Sequence, residues 1–227
     1  MITALTLAAA LAALPSDARV GPGGVPSLTE AWWRWLYQPR DGMRPHQDPT
    51  GARCHAGQSG DVWFLAGSPA TGEVTRTCAV PEGKYLFVPV YVVLEYSQPG
   101  RRRDCAVLRA QAKAEASRDI TWRVELDGQP LAPVRSASAA CFDAYADAVD
   151  DAPSPGLYAP ATSDGWWLLL PPLPAGQHRL VVESRQATEG ALRSRYDQQF
   201  TYLLDVGGEI GESPLEEAAP GAAKEVI

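Results

Sequence analysis

Apolar residues occupy every second position in several short segments of the chain. In residues 120–131 the alternation ends at the turn pair Asp127-Gly128, and residues 178–183 and 200–206 show the same period. A period of two places one face of a strand in the core and the other in water, and an Asp-Gly pair favours a hairpin turn. These segments therefore predict half-buried β-strands.

Two further segments are apolar without this alternation. Residues 62–67 and 84–96 are rich in aromatic and β-branched residues, which also predicts strands. Pro89 interrupts the longer run, and proline has no N–H to donate within a sheet. We therefore expect an edge strand or a β-bulge at this position.

Helical patterns are confined to two segments. The first begins at Ser27, which has capping-box spacing to Glu30, and it ends at Pro39. The second, residues 104–118, is rich in Ala, Gln, Lys and Glu. Several short strands with two helices predict a mainly β protein, specifically an antiparallel immunoglobulin-like β-sandwich with two short helical insertions.

The two ends of the chain differ in composition from the middle. Residues 1–18 combine an uncharged apolar run with small residues before Ala18, which predicts a signal peptide cleaved after Ala18. Residues 19–206 then form a single β-sandwich domain, and residues 207–227 form a flexible acidic tail. We expect a secreted or periplasmic protein with no transmembrane segment in the mature chain.

Charge and cysteine content narrow the classes of function. The formal net charge of −7 at pH 7 argues against nucleic acid or an anionic membrane as the partner. Four cysteines in an exported chain predict two disulfides, for which three pairings are possible. Because sequential pairing closes loops of moderate length, we favour Cys54–Cys78 and Cys105–Cys141.

Residues 39–61 form a long segment without a hydrophobic period, dense in Pro, Gly and Asp. Loops longer than about 12–15 residues are usually functional or held in place by something. This one contains His46, Asp48 and His55, whose side chains are a workable ligand set for zinc or copper. However, no helix or strand holds them, so solvent-exposed or capping roles are favoured and no cofactor is predicted.

No pattern in the chain specifies a reaction. Gly57-Gln58-Ser59-Gly60 lacks the spacing of a serine nucleophile motif, and no glycine-rich phosphate-binding or dinucleotide pattern follows a strand. The four thiols are expected to be oxidised, which disfavours a cysteine nucleophile.

Aromatic residues are the candidates for ligand binding. Trp33 and Tyr37 lie four residues apart on one side of the first helix, while Trp166 and Trp167 open a strand and point to opposite faces. Such residues recognise ligands, although ordinary packing also explains them. We predict a recognition module for carbohydrate or an extracellular protein partner. The alternative is a secreted hydrolase or metal-dependent enzyme that uses the histidine loop.

Five blocks in this order resemble an uncharacterised family of exported bacterial β-sandwich proteins: EAWWRWLYQ, DPTGARCHAGQSGDVWFLAG, RTCAVPEGKYLFVPV, VELDGQPL and WWLLLPPLPAGQHRLVV. The similarity covers most of the mature chain. It implies a β-sandwich in which the two cysteines flanking the VWFLAG strand are a structural element, which supports pairing Cys54 with Cys78. The family brings no established activity, so the resemblance bears on the fold and not on the function.

Overall fold

The computed structural model describes residues 12–21, 23–68, 71–149, 153–186 and 197–210. Within them are two α-helices, α1 (Gly24–Tyr37) and α2 (Cys105–Ala116), and a short 3-10 helix at Pro45–Gln47. The strands are β1 (Val62–Phe64), β2 (Thr71–Val80), β3 (Tyr85–Tyr96), β4 (Ile120–Leu126), β5 (Gln129–Pro130), β6 (Val134–Ala137), β7 (Ala161–Leu170), β8 (Gly176–Gln186) and β9 (Asp197–Val206).

The strands form two sheets that pack as a sandwich. The central sheet has the order β1-β3-β7-β6, and the outer sheet has the order β2-β9-β8-β4-β5. Between them lies an apolar core that includes Leu86, Val88, Leu168, Leu180 and Phe200. The predicted mainly β sandwich with two helices is therefore confirmed, while immunoglobulin-like topology stays a prediction.

The expectation of purely antiparallel sheets was wrong at two places. β1 pairs with β3 in parallel, and β2 pairs with β9 in parallel. The first pair is parallel because the chain leaves the central sheet after β1, runs along the outer sheet as β2, and then returns as β3. The alternation of residues within one strand carries no information about the direction of its neighbour.

The central sheet is covered on both faces. Its second face packs against α1 in another apolar cluster, where Trp32 contacts Trp167 with a centroid distance of 5.3 Å. Strands buried on both faces read as continuous apolar runs, which explains the pattern of β3. Pro89 lies at the predicted irregularity, because the register of β3 against β7 shifts between Pro89 and Tyr91.

The start of α1 differs from the prediction. The helix begins at Gly24 with Gly23 as its N-cap, and no side chain caps it. The Ser27–Glu30 capping box is therefore wrong: one Glu30 carboxylate oxygen accepts a hydrogen bond from the Ala140 N–H at 2.8 Å. The helix ends at Tyr37, close to the predicted stop.

Both predicted disulfides are present. Cys54 is bonded to Cys78 and Cys105 to Cys141, with Cα–Cα distances of 5.9 and 6.1 Å. The second bond ties the start of α2 to the loop that precedes β7. No helix among the described residues has the length and apolar character needed to cross a membrane.

The predicted signal peptide and tail fall largely outside the described residues. Residues 1–11 and 211–227 are not among them. Within the predicted leader, the Leu14 N–H donates a hydrogen bond to the Leu169 carbonyl oxygen at 2.8 Å, beside the face of β7 that α1 covers. Cleavage after Ala18 stays a prediction.

Candidate binding surface

A buried arginine anchors the long loop between α1 and β1. Arg76 on β2 is only 1% exposed. Its Nε donates a hydrogen bond to the Asp48 carbonyl oxygen at 2.6 Å, and its Nη2 donates to the His46 carbonyl oxygen at 3.1 Å. Its Nη1 donates to the carbonyl oxygens of Ala66 and Gly67, both at 3.0 Å. A buried cation is tolerated when its donors are satisfied in this way, so Arg76 fixes the backbone of the loop.

The carboxylate of Asp48 organises the same loop from within. Its Oδ1 accepts hydrogen bonds from the N–H groups of Thr50 and Gly51 at 2.9 and 3.1 Å, and its Oδ2 accepts from the Arg53 N–H at 2.7 Å. Burial raises the pKa of Asp48, but these hydrogen bonds outweigh it and the pKa lies below the usual value. The carboxylate is therefore ionised and caps backbone groups.

His46 lies in a positively charged environment. Burial is the main reason that its pKa falls to about 4, and the charges of Arg44 and Arg76 lower it further. The ring is therefore neutral at pH 7, and its buried Nδ1 has no hydrogen-bond partner among the described residues. Two nearby guanidinium groups would also repel a metal cation.

His55 belongs to a different part of the surface. It lines a cleft of about 240 Å³ together with Cys54, Asp205 and Glu209. In the described part of the chain, no three or more His, Cys, Asp or Glu side chains are grouped to hold a metal ion. The positions of His46, Asp48 and His55 thus give no support to the metal-dependent alternative.

Trp33 and Tyr37 share a side of α1, but they differ in exposure. Trp33 is 7% exposed, and its Nε1 donates a hydrogen bond to Ser163 Oγ at 2.8 Å. Tyr37 is half-buried and stacks on Trp33 with a centroid distance of 5.8 Å and an interplanar angle of 14°. Trp33 therefore supports Tyr37 from below.

Three more tyrosines continue from Tyr37 over the surface. Tyr37 stacks on Tyr145 at a centroid distance of 4.7 Å, Tyr145 contacts Tyr158 at 5.5 Å, and Tyr158 meets Tyr96 edge-on at 5.4 Å. All four rings are half-buried. Together with Arg44 they are here called the tyrosine surface.

The loop that carries Tyr145 and Tyr158 is held by Asp143. Its Oδ1 accepts a hydrogen bond from the Tyr145 N–H at 3.0 Å, and its Oδ2 accepts from the Gly156 N–H at 2.6 Å. The Val149 N–H also donates to the carbonyl oxygen of Gln38, just after α1, at 2.9 Å. These bonds position the tyrosines before any ligand binds.

Arg44 completes the tyrosine surface. Its Cζ lies 4.9 Å from the ring centroid of Tyr37 and 5.9 Å from that of Tyr145, within the range of cation–π contacts. The side chain is 12% exposed, and its Nη1 lies 3.5 Å from the carboxylate of the exposed Asp41. The surface thus combines aromatic rings with a partly desolvated positive charge.

Two phenol groups of this surface, those of Tyr37 and Tyr145, are held in their neutral form. Burial raises the pKa of Tyr37 to about 12, and the neighbouring Tyr145 and Tyr96 raise it further while Arg44 opposes them. Burial is also the main cause of a raised pKa at Tyr145. Neutral phenols are hydrogen-bond donors as well as acceptors.

Trp166 and Trp167 point to opposite faces of β7, in keeping with the alternation of a strand. Trp167 is completely buried and stacks on Phe87 at a centroid distance of 4.7 Å, so it has no surface to offer a ligand. Trp166 is half-buried and stacks on Trp122 at 4.9 Å. Trp122 itself is 40% exposed.

Sequence reasoning identified only Tyr37 among the members of the tyrosine surface. Arg44, Tyr96, Tyr145 and Tyr158 come from two loops and the end of β3, and tertiary packing brings them together. No spacing along the chain records such an arrangement.

Comparison of the sequence with protein-family models gave no match, and comparison with curated proteins gave none. Among solved structures, the solution structure of Amebosin is similar at 10% identity and a TM-score of 0.21, covering 59% of this chain and 96% of that chain. A likeness of this size carries no argument about fold or function.

Proposed function

We propose that this protein is an exported, disulfide-stabilised recognition module that binds a protein partner through the tyrosine surface. The observation that carries this proposal is the continuous contact of Tyr37, Tyr145, Tyr158 and Tyr96, with Arg44 against the first two rings. Tyrosine, tryptophan and arginine are the residue types that dominate binding energy at protein interfaces.

The rigidity of the rings supports this role. A tyrosine held by stacking loses little side-chain entropy when a partner binds, so more of the contact energy remains as affinity. Tyr37 is held between Trp33 and Tyr145, and the loop of Tyr145 is held by Asp143. The surface is therefore organised before binding.

Exposed apolar residues occur on the same loops. Met43 precedes Arg44 and is 42% exposed, Leu157 precedes Tyr158 and is 41% exposed, and Val149 near Tyr145 is 52% exposed. Aromatic residues, methionine and arginine are enriched in the cores of protein interfaces. These side chains would enlarge the apolar area that a partner covers.

A protein partner fits this surface better than a carbohydrate. A sugar ring stacks on an open aromatic face, whereas the faces of Tyr37 are already taken by Trp33, Tyr145 and Arg44. The surface adds half-buried tyrosines and the exposed apolar side chains that flank them. This combination is typical of protein recognition.

The experiment is selection from a library of random linear peptides against the full chain, produced in an oxidising compartment so that both disulfides form. We expect enriched peptides to bind the wild type and the Trp122→Ala variant, which removes an exposed aromatic elsewhere. They should fail to bind the Tyr145→Ala/Tyr158→Ala double variant. Peptides that bind this double variant equally well would contradict the proposal, and so would glycan binding at this surface without peptide enrichment.

A further inference from the structure

We infer that the partner presents a carboxylate, from an aspartate or glutamate side chain, to the Arg44 guanidinium of the tyrosine surface. This inference rests on the proposed function and adds the chemistry of the partner. It is derived from the weak pairing of the Arg44 guanidinium, from the position of its charge against the rings of Tyr37 and Tyr145, and from the exposure of the one carboxylate beside it in the described part of the chain.

The guanidinium of Arg44 is held against the tyrosine rings, but its hydrogen-bond donors are not all paired. Its Nε is buried without a hydrogen-bond partner among the described residues, although the side chain is only 12% exposed. Arginine carries five N–H donors in a planar fork, and a buried donor left without a partner costs free energy. Because Nε is closed to solvent, a partner can reach only Nη1 and Nη2, and the two oxygens of a carboxylate match this pair of donors.

The surrounding loop repeats the same deficit of acceptors. Arg53 Nε, on the loop that contains Arg44, is also buried without a partner in the described part of the chain. Arg53 Nη1 donates to the thioether sulfur of Met43 at 3.1 Å, a weak acceptor. Arg44 and Arg53 therefore each keep a buried Nε donor that no acceptor among the described residues satisfies.

The carboxylate already near Arg44 does not fill this role. Asp41 lies 3.5 Å from Arg44 Nη1, longer than the usual distance of about 2.7–2.9 Å for a charged hydrogen bond. Its side chain is 72% exposed, and its Oδ1 already accepts a hydrogen bond from Gln47 Nε2 at 2.7 Å. Solvent and salt screen a pair this exposed, so a ligand carboxylate would displace it easily.

The rings around Arg44 favour an anion over water as its partner. Stacking on Tyr37 removes part of the hydration shell of the guanidinium, and an ion pair formed in such a site is stronger than one in bulk water. The adjacent phenols remain protonated and add O–H donors for carboxylate oxygens. The protein's net charge of −7 repels anions at long range, so recognition has to be local.

The test uses two random peptide libraries, one of which lacks Asp and Glu. We expect binders that require the tyrosine surface to come mainly from the library that contains Asp and Glu. Replacing the acidic residue of such a binder by its amide should weaken its binding to the wild type at least about tenfold. The same replacement should weaken its binding to Arg44→Gln by less than about twofold, because that variant has already lost the ion pair. Arg40→Gln, which removes the same charge from an exposed neighbouring position, should behave like the wild type.

The outcomes separate this inference from the proposed function. Equally tight binders from the acid-free library that still require Tyr145 and Tyr158 would overturn the inference and leave the function standing. Binders that ignore the two tyrosines in both libraries would overturn both. If Arg44→Gln does not fold, Arg44→Lys serves instead, since it keeps the charge but loses the planar fork and should weaken acidic peptides at least about fivefold.

Discussion

Arg76 Nε donates a hydrogen bond of 2.6 Å to the carbonyl oxygen of Asp48, which joins the outer sheet to the loop that carries Arg44. The same guanidinium binds carbonyl groups on both sides of β1. Among the described residues no carboxylate pairs with it; backbone carbonyl groups stabilise the charge together with Tyr202, whose hydroxyl oxygen accepts from Nη1 at 3.3 Å and whose ring centroid lies 5.6 Å from Cζ. The position of the loop that carries Arg44 therefore depends on a buried residue of the outer sheet.

Loss of Arg76 should destabilise the whole domain. Arg76→Gln leaves several buried carbonyl groups without donors, and we expect the free energy of unfolding to fall by about 3 kcal/mol or more. Urea denaturation followed by tryptophan fluorescence measures the change. The exposed Arg40→Gln should alter stability by less than about 0.5 kcal/mol. Equal effects of the two variants would show that the hydrogen bonds from Arg76 to the backbone carbonyl groups contribute nothing to stability.

Gly51 tests how closely the long loop approaches β2. Its φ is +88°, and a Cβ there would meet the carbonyl oxygen of Thr77. Gly42 has a similar φ of +82° but open space around it. Gly42→Ala should therefore cost about 1 kcal/mol from backbone strain alone, while Gly51→Ala should cost at least about 2 kcal/mol more. Similar melting temperatures for the two variants would contradict the close approach.

His178 should make stability depend on pH. Its Nδ1 lies 2.7 Å from Asp127 Oδ2, and its Nε2 lies 2.9 Å from the Pro174 carbonyl oxygen. Burial lowers the pKa of His178, but the contacts to Asp127 and Pro174 outweigh it and the net pKa is raised. Because the folded pKa exceeds the unfolded value of 6.5, this stabilisation is complete below pH 6.5 and is lost as pH rises through the folded pKa.

The matching variant is Asp127→Asn, which keeps an oxygen for the Arg179 N–H and tolerates the positive φ of this turn. The stability difference between wild type and variant should shrink as pH rises from 5.5 to 8.5, a range of about one to two units around the ordinary pKa. It should not exceed about 1 kcal/mol, because the Asp127 side chain is 43% exposed. A difference that grows with pH would refute the assignment.

Tyr37 should ionise unusually late. Its folded pKa of about 12 lies above the ordinary value of 10.0, mainly because of burial. Spectrophotometric titration of tyrosinate should lose a late-titrating group in Tyr37→Phe. Since the unfolded chain ionises first, stability should fall as pH rises above 10.0, and less steeply in the variant. A Tyr37 phenol that titrates near 10 would mean that the stack with Tyr145 is open to solvent.

Much of the fold is readable from the sequence because its determinants are local. Alternation in residues 120–126 marks β4, and the spacing of four cysteines favours the observed disulfides. The two parallel strand pairs could not be predicted from the sequence, because they depend on how the chain crosses between the two sheets. The capping box expected at Ser27 does not form, since α1 begins earlier at Gly24 and Glu30 accepts a bond from Ala140, far away in the sequence.

The candidate site was far less predictable than the fold. Trp33 and Trp167 are conspicuous in the sequence, yet both are buried supports. Tyr145 and Tyr158 lie in an irregular loop whose position follows from Asp143 and from the Cys105–Cys141 bond. Such residues acquire a role only when distant segments meet, so no local pattern marks them.

The most direct test of the tyrosine surface is the affinity of a selected peptide, measured by fluorescence anisotropy, for the wild type, Tyr145→Ala and Trp122→Ala. Circular dichroism establishes first that all three are folded. We predict that Tyr145→Ala weakens binding at least about tenfold, or about 1.4 kcal/mol, and that Trp122→Ala stays within about twofold of wild type. Unchanged affinity in Tyr145→Ala, or a larger loss in Trp122→Ala, would contradict the account.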